Sequence, residues 1–323
     1  MSQALLSQKI HSQVNQANNI LLVSHQQPDA DALGSLAAFG EWLDILGKTH
    51  TKFCQDLPPA NLAWLLNFQP IAINPDLLIR QNYDLVVVLD CGDLKHAGLA
   101  KILSDFTLEP FVINIDHHAT NQNFGDINLV DEEAVSTTAI IYQLFKSLNH
   151  KVSRQTAGAL LAGIIYDSYN FTNPNTNHLA LAAAADLLLA GASLPQVSNS
   201  ILKNKSLETL RIWGEILIRL RYNPQFGLAT TVITRDDLAD YSAVAEISEG
   251  VANFLNNLAG IKAALILQQQ EDNIIKGSLR TNDDLIDVSK LAKILGGGGH
   301  KKAAGFKIKG QLVKLPDGNW QIV

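Results

Sequence analysis

The run Leu85-Val86-Val87-Val88-Leu89, closed by Asp90, is the feature that most restricts how this chain can fold. Five consecutive aliphatic residues cannot alternate between core and water, so the strand they form must be covered on both faces. That is the position of a central strand in a parallel sheet flanked by helices. Two further runs repeat the pattern: Asn19–Val23 leads into Ser24-His25, and residues 110–115 lead into Asp116-His117-His118. Residues 33–46, 136–148, 154–166 and 180–190 carry helical spacing, and the last helix-like stretches follow Asp116 and bracket Asp167. This alternation predicts an α/β domain with a parallel sheet. Ligands of such sheets bind outside the carboxyl ends of the strands, where these acids and imidazoles fall.

At 323 residues the chain is long enough for two domains. Gly191-Ala192-Ser193-Leu194-Pro195 is the best boundary, and a long helix over 194–221 is expected to bridge the parts. Beyond it, 227–234 reads as a strand and 244–258 as a helix. Residues 261–268 and 274–280 read as an antiparallel pair, 288–295 as a helix, and 304–309, 311–315 and 319–323 as strands. The expected organisation is a metal-binding domain over 1–190, a helical linker over 191–221 and a smaller α/β domain over 222–323, with the active-site cleft between the domains.

Composition narrows the function classes. No window of 18 residues is apolar throughout, so no membrane span is expected, and the polar, amphipathic N-terminus does not read as a signal peptide. Cys54 and Cys91 lie in or beside apolar strand-like runs and form no disulfide framework, which points to the reducing cytoplasm. A net charge of −6 argues against a partner as long as a nucleic acid duplex. Residues 1–205 hold 18 acids and 11 bases, whereas 206–323 hold 13 and 14. This is the balance of a metal domain beside an anion-binding one, or of two ordinary solvated surfaces.

Ser24-His25-Gln26-Gln27-Pro28-Asp29-Ala30-Asp31 places an imidazole and two carboxylates in one strand-to-helix loop. These residue types suit a divalent cation, but Asp29 or Asp31 would equally cap the helix that follows. Asp90, His117 and Asp167 lie at further strand or helix ends, with Asp116 and His118 adjacent. Burying so many acids without counter-ions is very costly, so six converging groups favour a metal centre over six separate caps. Carboxylates with two imidazoles and no thiolate suit Mn²⁺, with Mg²⁺, Co²⁺ or Zn²⁺ as substitutes. Two such ions sharing one carboxylate would form a phosphoester hydrolase centre.

The ordered set His-x-x-x-Asp-x-Asp, a strand-end Asp, Asp-His-His and a later Asp resembles the DHH phosphoesterase superfamily. Gly296-Gly297-Gly298-Gly299-His300-x-x-Ala303-Ala304-Gly305 resembles the glycine-rich signature of the associated DHHA1 domain, and Ser278-Leu279-Arg280 its second substrate-binding segment. The compact chain is similar to the stand-alone nano-RNase and pAp-phosphatase subgroup rather than to RecJ-type exonucleases. The resemblance implies that His25 and Asp29 bind one metal and Asp31, His117 and Asp167 the other, with Asp90 shared. It implies that His118 contacts the scissile phosphate, that Asp116 orients its neighbours, and that Arg280, Gly297, Gly298, Gly299 and His300 hold substrate. Ala30 stands where the family commonly has glycine. For the glycine run the structural alternative is a helix C-cap and turn, and for Arg280 an ordinary surface arginine. Ser136, Thr137 and Thr138 are expected to cap a helix rather than act in catalysis.

The expected activity is Mn²⁺-dependent hydrolysis of short oligoribonucleotides to 5′-mononucleotides, of 3′-phosphoadenosine 5′-phosphate to AMP, or both. Alternatives in the same superfamily are cleavage of pApA or cyclic dinucleotides, or of pyrophosphate. A nucleotide-binding regulatory protein with a relic site is a non-enzymatic alternative. The sequence leaves the oligomeric state open, a homodimer included.

Overall fold

The computed structural model describes residues 3–66, 70–107, 109–173, 175–201, 206–238, 244–256, 258–299 and 301–323. The chain divides into two units, Met1–Asn204 and Lys205–Val323. The first runs α1 (Gln3–Gln16), β1 (Asn19–Val23), α2 (Ala30–Ile45), β2 (Thr49–Phe53), a 3-10 segment Ala60–Leu66, α3 (Pro75–Ile79), β3 (Leu85–Leu89), α4 (Ile102–Asp105) and β4 (Phe111–Asp116). It continues with β5 (Ile127–Val130), α5 (Thr137–Ser147), α6 (Arg154–Asp167), α7 (His178–Leu189) and α8 (Leu194–Ile201). The five strands are all parallel, in the order β2-β1-β3-β4-β5. The central-strand expectation for residues 85–89 therefore holds, and the α/β fold with it. The edge strand β5 was not anticipated, because four residues bounded by aspartates give little periodicity.

Alternation across the pleat divides the core. Ile20, Leu22, Val87 and Leu89 face the larger cluster with α1, α2, α5, α6 and α7. Leu21, Val23, Val86 and Val88 face a smaller one formed with the α3 and α4 side. Strand order reverses between β1 and β3, since β2 lies on one side of β1 and β4 and β5 lie beyond β3. The loops leaving the C-terminal ends of β1 and β3 therefore part in opposite directions, which opens a crevice at that edge.

Two glycines set how closely the helices over this crevice pack. A Cβ on Gly34 of α2 would lie 2.5 Å from the Ala159 carbonyl oxygen of α6. A Cβ on Gly163 of α6 would lie 2.4 Å from both the Asp31 carboxylate and the Thr138 hydroxyl. Both positions accept only hydrogen unless the helices separate.

The second unit runs α9 (Leu207–Ile218), β6 (Arg221–Asn223), β7 (Leu228–Ile233), a 3-10 turn Asp236–Leu238, α10 (Val244–Asn256), β8 (Ala263–Gln269) and β9 (Ile274–Arg280). It ends with α11 (Val288–Ile294), β10 (Gly298–Gly299), β11 (Ala303–Lys309) and the hairpin β12 (Leu312–Lys314) and β13 (Trp320–Ile322). Its sheet has the order β10-β11-β9-β8-β7-β6, with only β7 and β8 parallel. The expected antiparallel pair is β8 and β9. Ala264 and Ile266 pack with α9 and α10 on one face, and Leu279, Ala304 and Phe306 pack with α11 on the other.

The expected continuous helix over 194–221 is instead two helices. Ser206 is extended and its Oγ accepts the Thr209 amide at 3.0 Å, so α9 starts afresh there. Val197 of α8 belongs to the first unit's core, Ile212 and Ile216 of α9 to the second's, and Arg221 already lies in β6. Among the described residues, no single helix is long and apolar enough to cross a membrane.

Gly34→Ala is expected to destabilise the first unit by about 2 kcal/mol, the cost of overpacking against a backbone that cannot yield. Denaturant unfolding of this variant beside Gly47→Ala, a position with no heavy atom within 4 Å of the added carbon but with φ +68, separates overpacking from backbone strain. Gly34→Ala should in addition weaken metal affinity, because α6 carries Asp167.

Candidate metal centre

In the loop after β1, Asp29 caps α2 and also faces the acidic cluster. Its Oδ1 accepts the amides of Asp31 at 2.9 Å and Ala32 at 3.1 Å, which caps α2. Oδ2 takes no part in the cap. Ala30 is the first helical residue, so the glycine common there in the family is not required by this backbone. His25 turns its Nδ1 to the Gln26 carbonyl at 2.7 Å. Its Nε2 lies 3.4 Å from Asp90 Oδ2 and 3.9 Å from Asp29 Oδ1. A backbone acceptor on one ring nitrogen fixes the tautomer that offers the other to a metal.

Asp90 follows β3 and is 2% exposed. Its φ of +58 is left-handed, a strained conformation for a residue with a side chain, and its amide is tied to the Ile115 carbonyl at 3.0 Å. From β4, His117 Nε2 lies 3.7 Å from Asp90 Oδ1 and 3.2 Å from Asp167 Oδ2 at the end of α6. Asp116 is wholly buried, and protein donors occupy it: Oδ1 takes the His117 amide at 2.8 Å and His118 Nδ1 at 2.7 Å, and Oδ2 takes Asn121 Nδ2 at 2.6 Å. Its geometry is that of a residue that orients the two histidines.

Asp31, on the first turn of α2, is also wholly buried. Its carboxylate meets the N-terminus of α5, where it accepts the Thr137 amide at 2.7 Å, the Thr138 amide at 2.9 Å and the Thr138 hydroxyl at 2.6 Å. The helix dipole favours an anion there. Thr137 Oγ1 donates to Asp90 Oδ1 at 3.0 Å. The expectation that Ser136 caps α5 holds, through its Oγ and the Ala139 amide. The roles of Thr137, Thr138, Asn121 and Gly163 were not legible in sequence. A helix start reads the same whether its amides meet water or a carboxylate from a distant helix.

All six expected ligand residues thus meet. Their donor atoms form three overlapping groups, each within 4.8 Å: His25, Asp29 and Asp90; Asp31, His117 and Asp167; and Asp90, His117 and His118. Burial, with repulsion from neighbouring carboxylates, pushes Asp31 and Asp167 well above the usual carboxylate range and Asp29 up to about 6. Asp90 stays low despite its burial, held there by the His25 hydrogen bond and by the charges of His25, His117 and His118. Burial alone would lower His25, but Asp90 and Asp29 raise it to about 10. The Asp116 hydrogen bond raises His118 to about 9, and burial lowers His117. Among the described residues, the carboxylates of this cluster pair with imidazoles, hydroxyls and amides rather than with lysine or arginine. Two buried acids, Asp31 and Asp90, and two half-buried ones, Asp29 and Asp167, with imidazoles and no thiolate, fit divalent cations of the Mn²⁺ or Mg²⁺ type.

In the second unit Arg280 ends β9, with Nη1 3.1 Å from the Leu279 carbonyl. The glycine run divides by role. Gly296 (φ +75) follows α11, as the helix-cap alternative foresaw, and Gly299 has φ +132. A Cβ on Gly297 would lie 2.1 Å from the Gly305 carbonyl oxygen, whereas one on Gly298 would meet nothing within 4 Å. Gly296 and Gly298 both leave open space beside the backbone, and of the two only Gly298 lies in β10, the strand paired with β11. His300 lies outside the described residues.

Metal binding must displace protons from this site, because the raised carboxylates must ionise and His25 must give up the proton on its Nε2. Titration calorimetry of Mn²⁺ at pH 7 in buffers of different ionisation enthalpy should show release of more than one proton, with affinity rising from pH 5 to 8. In the metal-free protein the sign is opposite. A carboxyl whose folded value is raised, as in Asp29, holds its proton more tightly when folded, so stability falls as pH climbs from about 4 through about 6. Asp29→Asn keeps a capping oxygen and should lose metal at little cost in stability, whereas Asp29→Ala should lose metal and about 1 kcal/mol besides. Thermal unfolding without metal separates the two variants.

Comparison with known proteins agrees with this architecture. The model of the DHH family, N-terminal domain, matches residues 19–164, and that of the DHHA1 domain matches residues 228–317. The bifunctional oligoribonuclease and PAP phosphatase NrnA of Thermus thermophilus is 28% identical, over 90% of this chain and 84% of its own length. The Bacillus subtilis protein of the same name is 27% identical, over 90% of each chain. The crystal structure of an exopolyphosphatase-related protein from Bacteroides fragilis shares the fold, with a TM-score of 0.86 and 23% identity over 95% of this chain and 92% of that one. Matched by both domain models in the order in which its two units are built, the chain belongs to the DHH phosphoesterase family, with a DHH domain followed by a DHHA1 domain.

Proposed function

We propose that this enzyme is a manganese-dependent, two-metal phosphoesterase that hydrolyses short oligoribonucleotides to 5′-mononucleotides and 3′-phosphoadenosine 5′-phosphate to AMP. The observation that carries the reading is the division of Asp90: Oδ2 faces His25, and Oδ1 faces His117 and His118. One buried carboxylate with an oxygen toward each ligand group is the arrangement that two ions can share. His25 and Asp29 would hold one ion, and Asp31, His117 and Asp167 the other. Bound there, the ions would lower the pKa of a water toward neutrality and offset charge on the phosphoryl oxygens.

The chain's own residues supply the rest. With Asp116 on its Nδ1, His118 stays protonated at neutral pH and its Nε2–H can donate to a non-bridging phosphate oxygen. Asn121 holds the far oxygen of Asp116 and so keeps the ring from swinging. In the DHHA1 domain, Arg280 offers a planar fork to a terminal phosphate, and the open backbone at Gly298 lets a second phosphate approach. Both NrnA relatives carry the two activities in their names, which supports the substrate choice. The buried thiols of Cys54 and Cys91, pushed up to about 12, stay inert in a reducing cytoplasm. No membrane or long nucleic acid is needed as a partner, and a homodimer is compatible with the reading.

A panel of two- to five-mers, pAp, pApA, a cyclic dinucleotide and pyrophosphate, each assayed with Mn²⁺, Mg²⁺, Co²⁺ and Zn²⁺, tests the proposal. Mn²⁺-dependent 5′-mononucleotides from the oligomers and AMP with phosphate from pAp are expected. Asp90→Ala should lower turnover at least a thousandfold, a fraction of the typical enzymatic acceleration. Arg280→Ala should act mainly on KM. Turnover confined to pyrophosphate or to cyclic dinucleotides, or unaffected by Asp90→Ala, would overturn it.

A further inference from the structure

The register of the DHHA1 sheet places charged and small residues in ordered rows on the face that α9 and α10 cover only in part. Residues directly opposite one another on neighbouring strands point to the same side. One row is Ala264, Arg280 and Ala303; the next is Ile266, Ser278 and Gly305, continued to Gly298. The third is Gln268, Lys276 and Lys307, and Lys309 lies two residues further along β11. Ala264, Ile266 and Gln268 are buried at the α10 side, where Ser248 bonds Gln268. On β9 and β11 the same face is half-buried at Lys276 and exposed at Lys307 and Lys309.

Two features of the third row call for an anionic ligand. Lys276 and Lys307 are directly opposite, a like-charge pairing that costs stability in a sheet. Among the described residues, no carboxylate pairs with Lys276, Lys307 or Lys309. The floor between this row and Arg280 is Ser278 and Gly305, too small to obstruct a chain lying on it. Same-face positions repeat every two residues, so the Arg280 and Lys276 rows are about 13 Å apart along the strand.

We propose that Lys276 and Lys307, with Lys309 beyond them, form a second phosphate-binding subsite, which holds the phosphodiester backbone of an oligoribonucleotide whose terminal phosphate is at Arg280. The inference rests on the function proposed above for its substrate class, but not on catalysis. It gives this sheet face a role in length preference: a mononucleotide such as pAp ends at the Arg280 and Gly298 rows, while longer oligomers run on to the lysines. Charge complementarity without aromatic platforms makes the contact one to phosphates, indifferent to base sequence.

The test is Lys276→Ala/Lys307→Ala against the parent protein, with fluorescence anisotropy of labelled two-, three- and five-mers in the absence of metal. The five-mer Kd should rise about tenfold, and the slope of log Kd against log salt should shrink by about 1.4, the value for two lost phosphate contacts on a single strand. The dimer Kd, and the kcat/KM for pAp with Mn²⁺, should stay within about twofold of the parent. Circular dichroism should show an unchanged or higher melting temperature, since a like-charge pair has been removed. Equal losses for dimer and five-mer, or an unchanged five-mer Kd and salt slope, would refute the subsite. Because binding is read without metal, absence of oligomer hydrolysis in the parent protein would count against the proposed activity while leaving the subsite to be judged by anisotropy.

Discussion

Four carboxylates, two of them buried and two half-buried, within reach of one another are stable only if something compensates them, and the DHH domain is arranged around that demand. Asp90 is the pivot. The all-aliphatic β3 carries it into the sheet's crevice, and a left-handed backbone turn aims it inward. Imidazoles from β1 and β4 meet its two oxygens, while Asp31 and Asp167 arrive from helices. Without metal this cluster is loaded with protons, because burial favours neutral acids and the acids that remain charged hold His25 and His118 positive. Protons and divalent cations thus compete for the same atoms, which couples metal loading to pH through the architecture of the site itself.

Supporting interactions are as specific as the ligands. The α5 N-terminus gives Asp31 two amides and a hydroxyl, and Gly163 keeps α6 close enough for Asp167 to join it. Asn121 and Asp116 do the same for His118. A parallel sheet with its strand order reversing between β1 and β3 brings these loops to one edge. Helix packing at Gly34 then fixes the distance between the ligands carried by α2 and α6.

The DHHA1 domain poses a different physical problem. Its mixed sheet buries one face under α11 and part of the other under α9 and α10, which leaves the β9–β11 strip with cations in register and a floor of small residues. The slight basic excess of the chain's second part is concentrated in a pattern that a phosphate chain can follow. The acidic cluster and this basic strip thus belong to two separately packed cores.

Much of this was readable in the residues. Continuous aliphatic runs ending on Asp90 and on Asp116-His117-His118 required a doubly covered parallel sheet and placed their polar ends at its carboxyl edge, because a strand without alternation has no face for water. That His25, Asp29, Asp31, Asp90, His117 and Asp167 gather at one place could be expected from their positions at strand and helix ends. Tertiary structure alone decided that Asp29 both caps α2 and faces the cluster, since the carboxylate that accepts the α2 amides also lies beside His25. It alone showed that Thr137 and Thr138 serve Asp31, and that residues 194–221 break at Ser206, where a side-chain cap competes with helix continuation. It alone set the lysines of β9 and β11 side by side. Local sequence determines periodicity and capping. Which distant amide meets which carboxylate, and which strands lie in register, are fixed by packing between segments far apart in the chain.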